Sequence, residues 1–143
     1  MMNDHDAPDE HTLIANLLAN TKTIALVGAS IKPERPSHMV MHYLLSQGYH
    51  VIPVNPAMAG QHILDQSCFA SLSDIKEPID MVDIFRASEH CLGIVEEAVA
   101  IKAKSIWMQI GISHQQARAY AEQAGLIVVE NKCTKIEHQR LAK

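Results

Sequence analysis

The segment that follows the first apolar run combines residue types that could bind a phosphate group. Residues 28–38 read GASIKPERPSH, in which a glycine precedes a hydroxyl and two cations. Pro36 is typical of the first position of a helix, where unpaired N–H groups and the positive end of the helix dipole attract anions. Arg35 can hold a phosphate through two parallel hydrogen bonds. The alternative is a turn with solvated basic residues. The predicted contacts are Gly28, Ala29, Ser30, Lys32, Arg35 and Ser37.

This segment does not match the better-known nucleotide motifs. It has one glycine where the dinucleotide motif Gly-x-Gly-x-x-Gly has three, and no Gly-Lys-Ser P-loop is present. The end of the second apolar run, residues 53–56 (PVNP), lacks the acidic residue that binds the ribose hydroxyls in an NAD enzyme. An NAD site is therefore disfavoured on two grounds.

Two later apolar runs also end in residues that could contact a ligand. Phe85 could form an apolar wall for a base and Arg86 a further phosphate contact; alternatively, Phe85 is a core residue and Arg86 a surface charge. Gln109, two residues before Gly111, offers an amide that could bond to amide groups of a ligand without adding charge. The alternative for Gln109 is a polar strand end.

Cys133 is the one candidate nucleophile. Lys132 and Lys135 flank it, and Thr134 with Glu137 forms a capping box that predicts a helix start directly after it. A helix N-terminus and nearby cations favour a thiolate. The alternative is a small residue that packs the loop.

No other arrangement suggests catalysis. His38 and His42 lie one helical turn apart but have no third ligand at a suitable spacing, so no metal site is predicted. Asp80 and Asp83 are interpreted as polar groups at the ends of a buried strand rather than as a catalytic pair. Whether the protein is an enzyme stays open, with binding favoured over catalysis.

The order of elements must position these residues. Strands are predicted at 23–27, 50–54, 81–85, 105–110 and 126–130, and the first is apolar throughout, which is typical of a parallel strand covered on both faces. Helices are predicted at 9–19, from 36 to 48, at 88–102, from a Ser113–Gln116 capping box to 125, and at 134–141. This alternation predicts an α/β fold: a single doubly wound, Rossmann-like, five-stranded parallel sheet with helices on both faces. Residues 57–71 are left unassigned. Ligands bind beyond the carboxyl ends of such strands, where the candidate residues stand.

Length and composition limit the class of protein. The chain of 143 residues, 48% hydrophobic and 20% charged, is predicted to form a flexible acidic tail at 1–8 and one domain at 9–143. No apolar run reaches the ~18–20 residues of a membrane span, and the first eleven residues do not form a targeting signal. Three cysteines without Cys-x-x-Cys spacing fit a reducing compartment. We therefore expect a cytoplasmic protein that is not bound to membranes.

The net charge of −4 does not favour nucleic-acid binding. Four acids within residues 4–10 account for the imbalance, because the rest of the chain contains twelve acidic and twelve basic residues. Any attraction for an anionic ligand must therefore come from a local arrangement.

Taken as an ordered set, several strings resemble the small stand-alone CoA-binding-domain proteins, which are similar to the CoA-binding domain of the succinyl-CoA synthetase alpha subunit. The resemblance covers about residues 21–141. Asp65 stands where a glycine is usual, and Lys132 where an arginine is usual. The strings that carry it are ALVGAS at 25–30, RPS at 35–37, GY at 48–49, VIPVNP at 51–56, residues 80–86, WMQIG at 107–111, and NKC at 131–133.

The resemblance implies coenzyme A (CoA) or an acyl-CoA as the ligand. It places the phosphates near Ser30 and Arg35, the adenosine near Asn55-Pro56 and Phe85-Arg86, and the pantetheine arm toward Gln109. The leading interpretation is a non-catalytic CoA-binding protein. The alternatives are a CoA-linked enzyme or redox protein that uses Cys133, and a regulatory domain for an unrelated nucleotide. Protein partners are not predicted.

Overall fold

The computed structural model describes residues 9–141, so the predicted tail at 1–8 lies outside the described residues. In chain order the strands are β1 (Thr23–Val27), β2 (His50–Val54), β3 (His62–Ile63), β4 (Gln66–Ser67), β5 (Met81–Ile84), β6 (Ser105–Met108) and β7 (Ile127–Val129). The predicted five-stranded parallel sheet is confirmed within this range, with strand order β2-β1-β5-β6-β7. A small antiparallel pair, β3 and β4, lies in the segment that the sequence left unassigned.

Five α-helices connect or flank these strands in the described chain. The first begins after Asp9, whose carboxylate accepts a hydrogen bond from the Thr12 N–H at 2.7 Å. The second begins at Pro36, as predicted from the sequence. The helices are α1 (Glu10–Asn20), α2 (Pro36–Ser46), α3 (Cys91–Ala100), α4 (Gln115–Gln123) and α5 (Thr134–Leu141).

Both predicted capping boxes are wrong. The cap of α4 is His114, whose Nδ1 accepts from the Ala117 N–H at 3.0 Å, one residue later than the predicted Ser113. The hydroxyl of Thr134 does not cap α5, because it bonds to a buried carboxylate of the sheet. Ser113 and Thr134 are both of a residue type that often caps helices, but neither hydroxyl caps the helix that follows it.

Alternate strand residues face two apolar layers, as the all-apolar strands predict. Ile24 and Leu26 belong to the layer covered by α1 and α2, where Trp107 is fully buried. Ala25 and Val27 belong to the layer covered by α3 and α4. The indole N–H of Trp107 donates to the Lys132 carbonyl at 2.8 Å, which ties the segment before α5 to the sheet.

The strand order reverses at β1, which pairs with β2 on one side and β5 on the other. The loop after β1 leads to α2 and then to β2, whereas the loop after β5 leads to α3 and β6. The two loops therefore leave the sheet in different directions and open a crevice at the carboxyl ends of the strands.

Gly28 makes this separation possible, because it lies directly against the backbone of β5. Its φ is +91°, and a Cβ atom added there would lie 2.9 Å from the Phe85 carbonyl oxygen. On the other side its N–H donates to the Val54 carbonyl at 3.0 Å. A side chain at this position would have to push the end of β5 away from β1.

We expect Gly28→Ala to destabilise the fold more than Gly48→Ala. Both glycines have a similar positive φ, +91° and +93°, but a Cβ on Gly48 meets no atom within 4 Å. The Gly48 variant therefore carries only the conformational strain, roughly 1 kcal/mol, and the Gly28 variant adds a backbone clash that should bring its loss to ~2–3 kcal/mol. Urea unfolding of both variants measures the difference. Equal losses in unfolding free energy would contradict the role of the close contact.

Candidate functional site

The crevice between the loops after β1, β2 and β5 has a volume of about 610 Å³. Four residues that were not among the predicted ligand contacts line it: Val27, Pro36, Val54 and Ala57. The structure brings most of the predicted site residues together here. Those that line the crevice are Gly28, Ala29, Ser30, Lys32, Arg35, Ser37, Asn55, Pro56, Phe85 and Arg86.

The crevice is positively charged on two walls. Lys32 and Arg35 stand on the loop after β1, and Arg86 stands on the loop after β5. Within residues 9–141, no acidic residue lines the crevice and none of the three cations forms an ion pair. Uncompensated cations in a concave site attract anions from solution.

The backbone N–H groups of Ser30 and Ser37 add to this attraction. α2 begins at the crevice, and the N–H groups of His38 and Met39 both donate to the Arg35 carbonyl, at 3.0 and 3.1 Å. The N–H groups of Ser30 and Ser37 have no hydrogen-bond acceptor in the part of the chain that the structure describes. Free N–H groups beside a helix start bind phosphate oxygens well.

The floor of the crevice is apolar. Val27 and Val54 contribute their strand ends, and Phe85 is half-buried between the crevice and the core. Phe85 therefore fits both sequence interpretations, since it packs against the core and also presents a surface to the crevice. A flat apolar surface next to cations suits a nucleotide base next to phosphates.

Asn55 lies in the crevice, but both polar atoms of its side chain are bonded to backbone groups. Its Nδ2 donates to the Ala29 carbonyl at 2.8 Å, and its Oδ1 accepts from the Ala57 N–H at 2.9 Å. The Asn55 amide therefore shapes the loops around the crevice, and direct contact with a ligand stays a prediction.

Three predicted site residues do not line the crevice: Gln109, Gly111 and Cys133. The N–H of Gly111 donates to the Asn131 side chain at 2.7 Å. Cys133 is half-buried and packs against the apolar layer that contains Trp107. Their contact with a ligand stays a prediction.

Gln109 is buried, and its amide nitrogen is already used inside the protein. It donates to Oδ1 of Asp83 and, at 2.9 Å, to the Thr134 hydroxyl. Thr134 in turn donates to Oδ2 of Asp83 at 3.0 Å. These three side chains form a buried network that joins β5, the residue that follows β6, and α5. The predicted amide contact with a ligand cannot use this nitrogen without breaking the network.

The network contains a carboxyl group that the sequence analysis underestimated. Asp80 is indeed a strand-end group, which accepts from the N–H groups of Lys22 and Thr23. Asp83, however, lies inside β5 and is completely buried. Burial raises the pKa of Asp83 to about 7, although hydrogen bonds from Gln109 and Thr134 oppose the shift. The sequence signal was an acid inside an otherwise apolar strand, Met-Val-Asp-Ile.

The described residues contain no group of three or more side chains that could hold a metal ion. Among the described helices, none combines the length and the hydropathy that crossing a membrane requires.

Comparison with protein families shows which family the chain belongs to. The model of a family described as "CoA binding domain" matches residues 22–139. The chain belongs to this CoA-binding domain family. The resemblance stated from the sequence strings is thereby confirmed.

Relatives of this CoA-binding domain protein include both single domains and part of a larger enzyme. The uncharacterized protein YneT of Bacillus subtilis is 37% identical over 125 residues, which are 87% of this chain and 91% of YneT. A hypothetical protein from Pyrococcus horikoshii is 39% identical, with a TM-score of 0.90 over 100% of this chain and 99% of its own. The dinucleotide-forming acetyl-coenzyme A synthetase 1 of Ca. Korarchaeum cryptofilum is 25% identical, with a TM-score of 0.70 over 80% of this chain and 27% of the synthetase.

We expect Asp83→Asn to change how the stability of the domain depends on pH. The pKa of Asp83 is raised in the folded state, so the stability that its proton contributes is complete below the unfolded pKa of roughly 4. That contribution is lost as the pH rises to about 7. The unfolding free energy of the variant, minus that of the natural protein, should therefore increase between these pH values and then level off. Urea unfolding at a series of pH values measures it.

Asp80→Asn is the matched control and should behave in the opposite way. Burial alone would raise the pKa of Asp80, but the N–H groups of Thr23 and Lys22 and the ammonium of Lys104 together lower it. Its contribution is therefore present above pH ~4 and lost as the pH falls below that value. If the unfolding free energies of the natural protein and of Asp83→Asn change with pH in parallel between the unfolded pKa and about 7, Asp83 does not titrate in this range.

Proposed function

We propose that this protein binds coenzyme A or an acyl-CoA in the crevice, as a binding module and not as a catalyst. The observation that carries the proposal is the crevice itself, at the strand reversal of a CoA-binding domain, where three cations and two N–H groups have no partner within residues 9–141. The match to the family covers nearly all of the described chain, so the crevice lies inside the matched residues.

The residues of the crevice fit the chemistry of CoA. The ligand has a diphosphate and a 3′-phosphate, which suits cations on two walls better than a single cluster. Lys32 and Arg35, with the N–H of Ser30, would bind the diphosphate, and Arg86 would bind a second anionic group. Phe85 and Pro56 would contact the adenine ring. When bound, CoA would supply a thiol or a thioester, and the residues of the chain would bind and orient it.

The crevice is less suited to NAD. An NAD site of this fold needs a carboxylate after β2 to accept from the ribose hydroxyls. Asn55 stands at that point, and its amide is already bonded to backbone groups. A ligand with more negative charge and no requirement for this carboxylate is favoured.

The interpretation as an enzyme or redox protein is not favoured. It depended on Cys133 as a nucleophile close to the ligand, whereas Cys133 does not line the crevice. We also propose a cytoplasmic location, since Cys68, Cys91 and Cys133 are free thiols, which are typical of reducing compartments.

We expect CoA to stabilise the protein selectively. At 100 times its dissociation constant CoA should raise the unfolding free energy by ~2.7 kcal/mol, and NAD at the same concentration should raise it far less. Thermal shift with CoA, acetyl-CoA, NAD, NADP, ATP and AMP compares the ligands under one condition. Equal stabilisation by NAD and CoA would contradict the proposal.

We expect Arg35→Ala to weaken CoA binding by roughly 1.5–3 kcal/mol, as for a hydrogen bond between charged groups. Arg35→Lys should restore only part of the affinity, because an ammonium cannot form two parallel bonds. Arg140→Ala is the control, since Arg140 is an exposed arginine on α5 that pairs with Glu137 and does not line the crevice. Calorimetry with CoA gives the three affinities. An unchanged affinity in Arg35→Ala would place Arg35 among the solvated surface residues.

A further inference from the structure

Asn55 joins the end of β2 to the loop after β1. It follows β2 directly, and its backbone N–H donates to the Phe69 carbonyl at 2.9 Å. Its side chain makes the two bonds described above, to the Ala29 carbonyl and the Ala57 N–H. Backbone and side chain are therefore both fixed, so Asn55 holds its two partners at set positions.

The peptide unit after Ala29 is the part of the loop that this side chain controls. Ala29 is buried, and its N–H points at the Val54 carbonyl at 3.3 Å, as does the N–H of Gly28 at 3.0 Å. The carbonyl of Ala29 accepts from Asn55. The end of β2 thus holds both the N–H and the C=O of this one residue.

The direction of the next N–H follows from the geometry of the peptide bond. The Ala29 C=O and the Ser30 N–H belong to the same planar unit, and in a trans peptide they point in opposite directions. No cis peptide bond occurs in residues 9–141. Because the C=O is directed at Asn55, the Ser30 N–H is directed away from it, and this N–H has no acceptor among the described residues.

We propose that Asn55 is a positioning residue: by holding the Ala29 carbonyl it directs the Ser30 N–H toward a phosphate oxygen of the ligand. This role rests on the proposed binding of CoA in the crevice. It differs from the expectation that Asn55 contacts the ligand itself.

The side chain must be an amide for this arrangement. It donates through one atom to Ala29 and accepts through the other from Ala57, and asparagine provides both at one length. Aspartate would keep the acceptor but would place a second acceptor against the Ala29 carbonyl. That repulsion would turn the peptide and with it the Ser30 N–H.

The first measurement needs no ligand. In ¹⁵N–¹H spectra of the free protein, Asn55→Ala and Asn55→Asp should both shift the Ser30 amide resonance. Asn20→Ala is the matched control, since Asn20 makes a similar side-chain bond to the Asn16 carbonyl at 2.8 Å, at the end of α1 and outside the crevice. It should leave the Ser30 resonance unchanged. An unchanged Ser30 resonance in both Asn55 variants would overturn the positioning role.

The second measurement compares CoA with inorganic pyrophosphate by calorimetry. Asn55→Ala should weaken both by a similar factor, on the order of tenfold, since both would lose one hydrogen bond to a charged oxygen. At saturating CoA the Ser30 amide of the variant should also show a smaller ligand-induced shift than in the natural protein. Asn20→Ala should bind both probes normally. Affinities in Asn55→Ala equal to those of the natural protein would refute the proposal.

A failure of the proposed function is distinguishable from a failure of this inference. If the natural protein binds neither CoA nor pyrophosphate, the proposed function is wrong, and the proposed contact between the Ser30 N–H and a phosphate oxygen is wrong as well. The ligand-free spectra would then still show whether Asn55 orients this peptide. If the natural protein binds CoA and Asn55→Ala binds it equally well, only the positioning role fails.

Discussion

The contact between Gly28 and the backbone of Phe85 determines where this domain can form a site. β1 and β5 pair along their whole shared length, yet the loops that follow must diverge, and position 28 leaves no room for a side chain. The contact holds the loops after β1 and β5 side by side, and the cations of both loops line one crevice. On the other side of Gly28, the N–H groups of Gly28 and Ala29 both donate to the Val54 carbonyl, so the end of β2 also sets the path of the loop. A longer residue here would alter the walls and the loop together.

The buried network of Asp83, Gln109 and Thr134 shows a different use of polar residues at the same end of the sheet. A carboxylate without a cation partner is expensive to bury, and such groups are weak evidence for stability. Here each oxygen of Asp83 accepts one hydrogen bond, one from the Gln109 amide directly after β6 and one from the Thr134 hydroxyl on α5. The bonds are directional, so they favour one position of α5 on an apolar layer that alone would tolerate several. These residues therefore help to fix the position of α5, and other residues line the crevice.

Much of the fold could be predicted from the sequence, and the errors have identifiable causes. The strands and the starts of α1 and α2 depend on local patterns, and the structure has them within two residues of the predicted bounds. The capping box of α5 failed because the Thr134 hydroxyl bonds to the distant side chain of Asp83, and that of α4 failed because the neighbouring His114 is the cap. For the same reason as at Thr134, the sequence could not show whether Gln109, at a strand end, contacts a ligand or bonds to buried side chains. The β3–β4 hairpin was missed because its turn residues, Leu64 and Asp65, have positive φ without a glycine.

The pairing of the arginines separates the residues that stabilise the fold from those available to a ligand. Arg118 pairs with Glu122 and Glu130, and Arg140 pairs with Glu137. Arg35 and Arg86 have no acidic partner within the described range, and both line the crevice. Since the chain beyond its acidic start has as many acids as bases, these two arginines in the crevice are not a consequence of excess positive charge. A guanidinium can form two parallel hydrogen bonds to a phosphate group, so the two arginines suit a ligand that carries phosphate groups.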